Sequence, residues 1–230
     1  MEHIALGPDH LAFLSSLLLF ARRTRDVLVF VTGFTLGHSV TLALGALGWA
    51  RPDPPLVEAF IGFTIALVAA ENVTVPAGDG ARAGLLAALA LAALAAARVA
   101  FGVGPPALWL CGLALFTACY GRLADSSAAV TRLRPILTVI FGLVHGFGFA
   151  GVLLEIGLPR DRLVSALLGF NLGVELGQLA FVAVLALAVW ALRRAWPGVA
   201  RSSLRDAASA ALCGLGVYWF AGRAYGLLSP

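Results

Sequence analysis

Four histidines and a small set of acidic and amide side chains fall inside, or at the edges of, long apolar segments of the sequence. Side chains of these types bind metal ions and transfer protons. A charged side chain at the centre of a bilayer costs about 2.5–3.5 kcal/mol on insertion scales, so several at similar depth indicate one shared functional interior. The residues are His3, His10, His38, His145, Glu71, Glu175, Asn171 and Gln178.

The segment HIALGPDHLAF brings two imidazoles and a carboxylate together. His3 and His10 are seven residues apart, which places them on the same face of a helix after about two turns. Asp9 directly precedes His10. This donor set suits a borderline divalent transition metal such as nickel, cobalt, zinc or iron(II). An interfacial histidine pair beside a capping aspartate is the alternative explanation.

His38 and His145 lie at the middle of two apolar segments, VTGFTLGHSVTLALG and IFGLVHGFGFAG. We interpret both as parts of the shared functional interior, with packing or hydrogen bonding between helices as the alternative for either residue alone. Thr35, Ser39 and Thr41 surround His38 as supporting polar groups, although such hydroxyls often bond back to the carbonyl four residues earlier. Both segments contain F-x-L-x-H, and a glutamate follows the histidine after 33 or 30 residues. This pattern is typical of a parallel internal repeat.

The segment GFNLGVELGQ gives one helix a smooth face and a polar face. At about 100° per residue, Asn171, Glu175 and Gln178 lie within about 60° of one another. Glycines spaced four residues apart line the opposite side, and such stripes let helix backbones come close. We predict that the polar face points into a cavity and the glycine face packs on a neighbouring helix. The packing glycines of this segment and of the segment around His38 are Gly169, Gly173, Gly177, Gly33 and Gly37.

The composition identifies the class of protein that must position these side chains. Of 230 residues, 60% are hydrophobic and 12% are charged, with a mean hydropathy of +0.94. Soluble domains average about 25% charged residues, so we predict a polytopic membrane protein. All the positive charge is arginine and falls mostly in loops, which favours membrane orientation over nucleic-acid binding. The three cysteines have neither disulfide nor metal spacing and are interpreted as small hydrophobes. No cleavable signal peptide is expected.

The spans follow from hydropathy, because a helix crosses the hydrocarbon core with about 20 apolar residues. Alternate predicted loops contain eleven arginines on one side and four on the other. This asymmetry favours eight spans, with seven as the alternative, and both termini outside. We predict an all-α bundle forming one transmembrane domain over 1–230, in a bacterial inner membrane. The predicted spans are 3–20, 27–49, 56–76, 83–101, 107–121, 136–156, 163–192 and 207–226.

Five motifs together resemble the HupE/UreJ family of integral membrane proteins. They are the H-x5-D-H spacing at 3–10, FTLGHSVTL, AEN at 70–72, LVHGFGFAG and FNLGVELGQ. The resemblance implies a transporter for Ni²⁺ or Co²⁺ that serves metalloenzymes, although eight spans exceed the six associated with the core permeases. It implies metal-binding roles for His3, Asp9, His10, His38 and His145. Glu175 completes the expected ligand set, and the supporting polar residues are Glu71, Asn72, Asn171 and Gln178.

In the mechanism that we expect, the first segment captures the ion at the outer mouth and His38 and His145 bind it at mid-depth. Glu175 or Glu71 balances the charge. Zn²⁺, Fe²⁺ or copper are alternative ions, since imidazole and carboxylate alone do not select one. We expect no enzymatic activity, no organic cofactor and no nucleic-acid partner. The open alternatives are a haem held by His38 and His145, an intramembrane metalloenzyme, and a protein that binds metal without transporting it.

Overall fold

The computed structural model describes residues 7–19, 21, 23–102, 104–124, 127–156, 163–198 and 200–226. Within these ranges the chain forms eight α-helices and no strand, which confirms the predicted all-α class. The helices are α1 (Pro8–Leu18), α2 (Thr24–Ala46), α3 (Pro54–Thr74), α4 (Gly80–Phe101), α5 (Ala107–Leu123), α6 (Ser127–Ile156), α7 (Leu163–Ala195) and α8 (Arg201–Gly226).

Each helix overlaps one of the eight predicted apolar segments, but α1 is shorter than its predicted segment and α6 is longer. Helix α1 has only 11 residues, fewer than a span needs. Helix α6 begins nine residues before the predicted segment and continues through Pro135. By length and composition, α2, α3, α4 and α7 are suited to cross a membrane, and α5 is a shorter apolar helix. The count of eight spans and their orientation stay predictions.

Local sequence signals account for several helix ends. Prolines occupy the first turns of α1 and α3, where a missing backbone N–H costs no hydrogen bond. Helix α2 begins with the Arg23 backbone N–H donating to the Asp26 carboxylate over 3.0 Å. Helix α4 is followed by Gly102, whose φ of 71° lies in the left-handed region that glycine adopts without strain.

Three helix pairs pack closely through glycine. Helix α2 packs on α6, α3 on α8, and α4 on α5. A Cβ added at Gly37 would overlap the backbone of α6, and one at Gly62 would lie 2.6 Å from a backbone nitrogen of α8. A Cβ at Gly84 would lie 2.8 Å from the Cα of Gly121. The backbones in each pair therefore approach more closely than any side chain would allow.

The contacts follow the internal repeat suggested by the two F-x-L-x-H motifs. The two helices that carry the motifs, α2 and α6, pack on each other. Helix α3 packs on α6, and α7 packs on α2, so each glutamate-bearing helix contacts the histidine-bearing helix of the other half. This is the contact pattern that a two-fold axis between the halves would produce.

Helix α7 is peripheral, and its glycine face is not packed as predicted. Only 11% of its most apolar stretch is buried inside the chain. A Cβ added at Gly169 or Gly173 would meet nothing within 4 Å in the described structure, while Gly177 is partly buried. The opposite, polar face packs on α2 instead. The physical reason is that hydrogen-bonding groups on this face find partners on α2.

Candidate metal site

Three imidazoles meet at the centre of the bundle, each supplied by a different helix. His10 comes from α1, His38 from α2 and His145 from α6. His38 and His145 are fully buried and His10 is 9% exposed. The ring centroid of His10 lies 5.7 Å from that of His38 and 5.2 Å from that of His145. The sequence predicted these three residues as ligands, and the fold brings them together.

Phenylalanine rings fill the space around the imidazoles. Phe13 lies 4.7 Å from His145 between ring centroids, and Phe34 lies 5.1 Å from it. On the other side of the cluster, Phe170 of α7 stacks on His38 at 6.2 Å. The sequence analysis did not single out these aromatic residues. Their packing surrounds the imidazoles with apolar aromatic surface.

The spacing of the imidazoles is compatible with shared ligation, but a complete ligand set is not assembled. Rings that bind one ion through nitrogens at about 2.0–2.1 Å have centroids about 5–6 Å apart, as observed around His10. Among the residues the structure describes, however, no three His, Cys, Asp or Glu side chains are already placed to hold one ion. Binding therefore requires the rings to reorient. His3 lies outside the described residues.

Thr64 of α3 contacts the cluster and was missed by the sequence analysis. Its hydroxyl lies 3.2 Å from Nε2 of His145, within hydrogen-bond distance, and also donates to the carbonyl of Ile61. The other ring nitrogen of His145, Nδ1, is buried and makes no hydrogen bond within the described part of the chain. Thr64 therefore orients the ring through one nitrogen and leaves the other for an ion.

Asp9 lies beside the cluster in an ion pair that the sequence did not suggest. Nη2 of Arg223, on α8, donates to Oδ2 of Asp9 over 2.7 Å. Nε of the same guanidinium lies 3.4 Å from Oε2 of Glu58, on α3. The predicted metal ligand Asp9 thus already has a cationic partner, and the two acids share one arginine.

On the other side of the cluster, Glu71 is paired with Arg134 and does not serve as a free charge-balancing group. Nε of Arg134 donates to Oε1 of Glu71 over 3.0 Å, and Nη2 donates to the side-chain oxygen of Asn72 over 2.9 Å. The amide of Asn72 donates in turn to the carbonyl of Ser16 over 2.7 Å. This network links α1, α3 and α6.

Arg134 was assigned to a loop by the sequence analysis, and this assignment is wrong. The residue lies inside α6 and is only 1% exposed. The eleven-residue spacing between Arg134 and His145 is about three helical turns, which places both on one face. This spacing between Arg134 and His145 could have indicated from the sequence that Arg134 lies inside the bundle.

Along its length, helix α3 contacts first the ion pairs of Arg223, then the histidine cluster, and then the ion pair of Arg134. Glu58, Thr64 and Glu71 follow one another at intervals of six and seven residues, or about 9 and 10 Å along the helix axis. The histidine cluster therefore lies between two ion pairs, Arg223–Asp9 and Arg134–Glu71. In the predicted orientation, the first is on the outer side and the second on the inner side.

Glu175 does not join the histidine cluster. Thr32 donates to its Oε1 over 3.1 Å, and Thr32 lies six residues, about 9 Å, from His38 along α2. One turn further along, Thr35 donates to Gln178 over 3.2 Å. The predicted ligand Glu175 is instead part of a polar contact between α2 and α7.

The remaining predicted polar groups bond within their own helices. Ser39 donates to the carbonyl of Thr35 over 2.6 Å, and Thr41 lies 3.3 Å from the carbonyl of His38. The amide of Asn171 donates to the carbonyl of Leu167 over 2.9 Å. These contacts favour the alternative explanation for the hydroxyls, in which they satisfy backbone groups rather than support the histidine.

A cavity of about 580 Å³ lies away from the cluster, between α3, α4, α5 and α8. Its lining is almost wholly apolar, with Glu71 and Tyr120 among the few polar side chains that reach it. None of the three clustered histidines lines it. The cavity therefore offers few ligands for a metal ion. The three cysteines are free, and Cys111 and Cys119 are exposed rather than buried as expected.

The apolar helices and the buried polar interior define an integral membrane protein built as a helical bundle. The sequence profile of the HupE / UreJ protein family matches residues 1–103 and 87–223. The chain therefore belongs to the HupE/UreJ family, which confirms the resemblance found in its motifs. Membership connects it with nickel or cobalt transport. No curated protein and no solved structure matches the chain.

Proposed function

We propose that the protein transports a divalent transition-metal ion, Ni²⁺ or Co²⁺, across the membrane through the histidine cluster. The observation that carries the proposal is the approach of His10 to both His38 and His145 in a buried position. Imidazole nitrogen is a preferred ligand of nickel and related borderline ions. Among these ions, nickel or cobalt is proposed because the chain belongs to the HupE/UreJ family.

We assign different roles in the binding and release of the ion to α1 and to the pair α2 and α6. His38 and His145 lie on α2 and α6, whose backbones are held together by glycine, so their separation is restrained. His10 lies on the short helix α1, which packs less extensively on its neighbours than α2 and α6 pack on each other. We infer that α1 delivers the ion to the cluster, and that loss of one imidazole from the ligand set allows release.

Transport is tested by uptake of radioactive nickel or cobalt into liposomes that contain the purified protein. His145→Ala and His10→Ala are each expected to reduce the initial rate at least about tenfold, because each removes a ligand worth at least one decade of affinity. Thr117→Val is the matched control, since Thr117 is also buried but lies on α5 and donates to the carbonyl of Leu113 in its own helix.

The same assay distinguishes transport from its alternatives. Uptake by both histidine variants at the wild-type rate would contradict the proposal. Binding of the ion by the wild type without uptake would favour a metal-binding protein that transports nothing. A Soret absorbance band in the purified protein would favour haem ligation by His38 and His145.

Uptake is expected to fall at acid pH, because imidazoles must be neutral to bind the ion and protons compete for the same nitrogen. The measurement uses liposomes with equal pH on both sides, so that no proton gradient drives or opposes transport. A rate that rises on acidification would contradict ligation by neutral imidazoles.

A further inference from the structure

Arg223 links three helices at the predicted entrance to the histidine cluster. It lies on α8, pairs with Asp9 of α1 and with Glu58 of α3, and its Nη1 also donates to the backbone carbonyl of Glu58 over 3.2 Å. Its guanidinium carbon lies 5.5 Å from the ring centroid of Trp219. The arginine is thus held in place by several contacts that do not involve Asp9.

The charges at this entrance do not balance. Among the described residues of this ion-pair group, one guanidinium faces two carboxylates, which leaves the group with an excess of one negative charge at neutral pH. Oδ1 of Asp9 is buried and makes no hydrogen bond among the described residues, whereas Oδ2 accepts from Arg223. Asp9 therefore has one oxygen committed to the arginine and one directed into the protein.

Asp9 directly precedes His10, the histidine that contacts both others. A cation that approaches the cluster along α1 from this end meets the Asp9 carboxylate before His10. A divalent ion bound to Asp9 would repel the guanidinium 2.7 Å from the same carboxylate. The ion and Arg223 therefore compete for one ligand.

We propose that Arg223 is an internal competitor for Asp9 that sets the affinity of the entrance for the metal ion. This inference rests on the proposed function. In the empty state the guanidinium occupies Asp9. When an ion arrives, Asp9 exchanges Arg223 for the ion, and the displaced guanidinium retains Glu58 and the ring of Trp219 as partners. Glu58, whose side chain is 49% exposed, accommodates the arginine without burying it.

The competition predicts opposite effects for two substitutions. Arg223→Gln removes the competitor, so KM for nickel is expected to fall about tenfold, the effect of losing one charge-assisted contact. Glu58→Gln removes the alternative partner of the arginine and strengthens its hold on Asp9, so KM is expected to rise. Arg223→Lys keeps the charge without the planar fork and is expected to give an intermediate KM.

A surface ion pair on the same helix supplies the matched control. Arg205 pairs with Asp206 at 2.8 Å on α8 and is unrelated to the cluster. Arg205→Gln is expected to leave KM unchanged. A merely structural role for Arg223 would lower the maximal rate or the thermal stability of Arg223→Gln without lowering KM, and that result would overturn the proposal.

Equilibrium titration of the detergent-solubilised protein with Ni²⁺ alone separates this inference from the proposed function. If the wild type binds nickel but does not transport it, the proposed function fails, and the ratio of Kd values still decides the role of Arg223. A lower Kd in Arg223→Gln supports competition. An equal or higher Kd in both Arg223→Gln and Arg223→Lys overturns it.

Discussion

Replacing Arg134 by methionine is expected to destabilise the protein by about 3–5 kcal/mol, the usual cost of leaving a buried charge without its partner. Arg134 is 1% exposed, and it is the cation that neutralises Glu71. The substitution also leaves the side-chain oxygen of Asn72 without its donor. The measurement is the midpoint of thermal unfolding in detergent, compared with that of the wild type.

The double variant Glu71→Gln/Arg134→Met tests whether the loss comes from the uncompensated charge. Because both charges are removed together, its stability is expected to lie much closer to that of the wild type. Arg205→Met serves as the surface control, because exposed ion pairs contribute about 0–1 kcal/mol. A single Arg134→Met variant as stable as the wild type would show that the network contributes little.

Replacing Gly37 by alanine is expected to separate α2 from α6 and to weaken metal binding. In an open helical position this substitution stabilises by roughly 0.5–1 kcal/mol. At Gly37 the added methyl would overlap the carbonyl of Val139, a backbone group that cannot move alone. Overpacking costs about 1–3 kcal/mol, and the displacement reaches His38, the next residue.

Gly173→Ala is the matched control for this prediction. Gly173 is also a helical glycine of a predicted packing stripe, but a Cβ there meets no atom of the described residues within 4 Å. Its stability is expected to be equal to or slightly above that of the wild type, with unchanged nickel affinity. Equal behaviour of the two variants would contradict the close packing of α2 on α6.

The sequence predicted the helices and the inward-facing positions of His38 and His145, because both depend on local information. Runs of apolar residues determine where helices form in a membrane protein. A buried imidazole is costly in hydrocarbon, so His38 and His145 had to face the interior of the bundle. His10 was predicted to lie at the outer mouth, and the structure instead brings its ring to 5.7 Å from that of His38 and 5.2 Å from that of His145. This approach depends on how α1 packs against helices distant in sequence, so local patterns could not predict it.

The partners of the charged residues could not be predicted because they are set by contacts between distant helices. Glu71 and Arg134 are 63 residues apart, and Asp9 and Arg223 are 214 apart. Arg134 was placed in a loop because hydropathy treats arginine as a span boundary. The glycine face of α7 was assigned to packing because a small-residue stripe marks a possible contact without naming a neighbour.

The long separation between Glu71 and Arg134 has a consequence for biosynthesis. Helices α4 and α5 pack on each other and are adjacent in sequence, so this hairpin can assemble as it leaves the ribosome. The cation that pairs with Glu71 is encoded 63 residues later. At ordinary translation rates it is synthesised about 3–13 s after Glu71. During that interval the Glu71 carboxyl lacks this cationic partner, so it must either stay in contact with water or take up a proton to enter hydrocarbon.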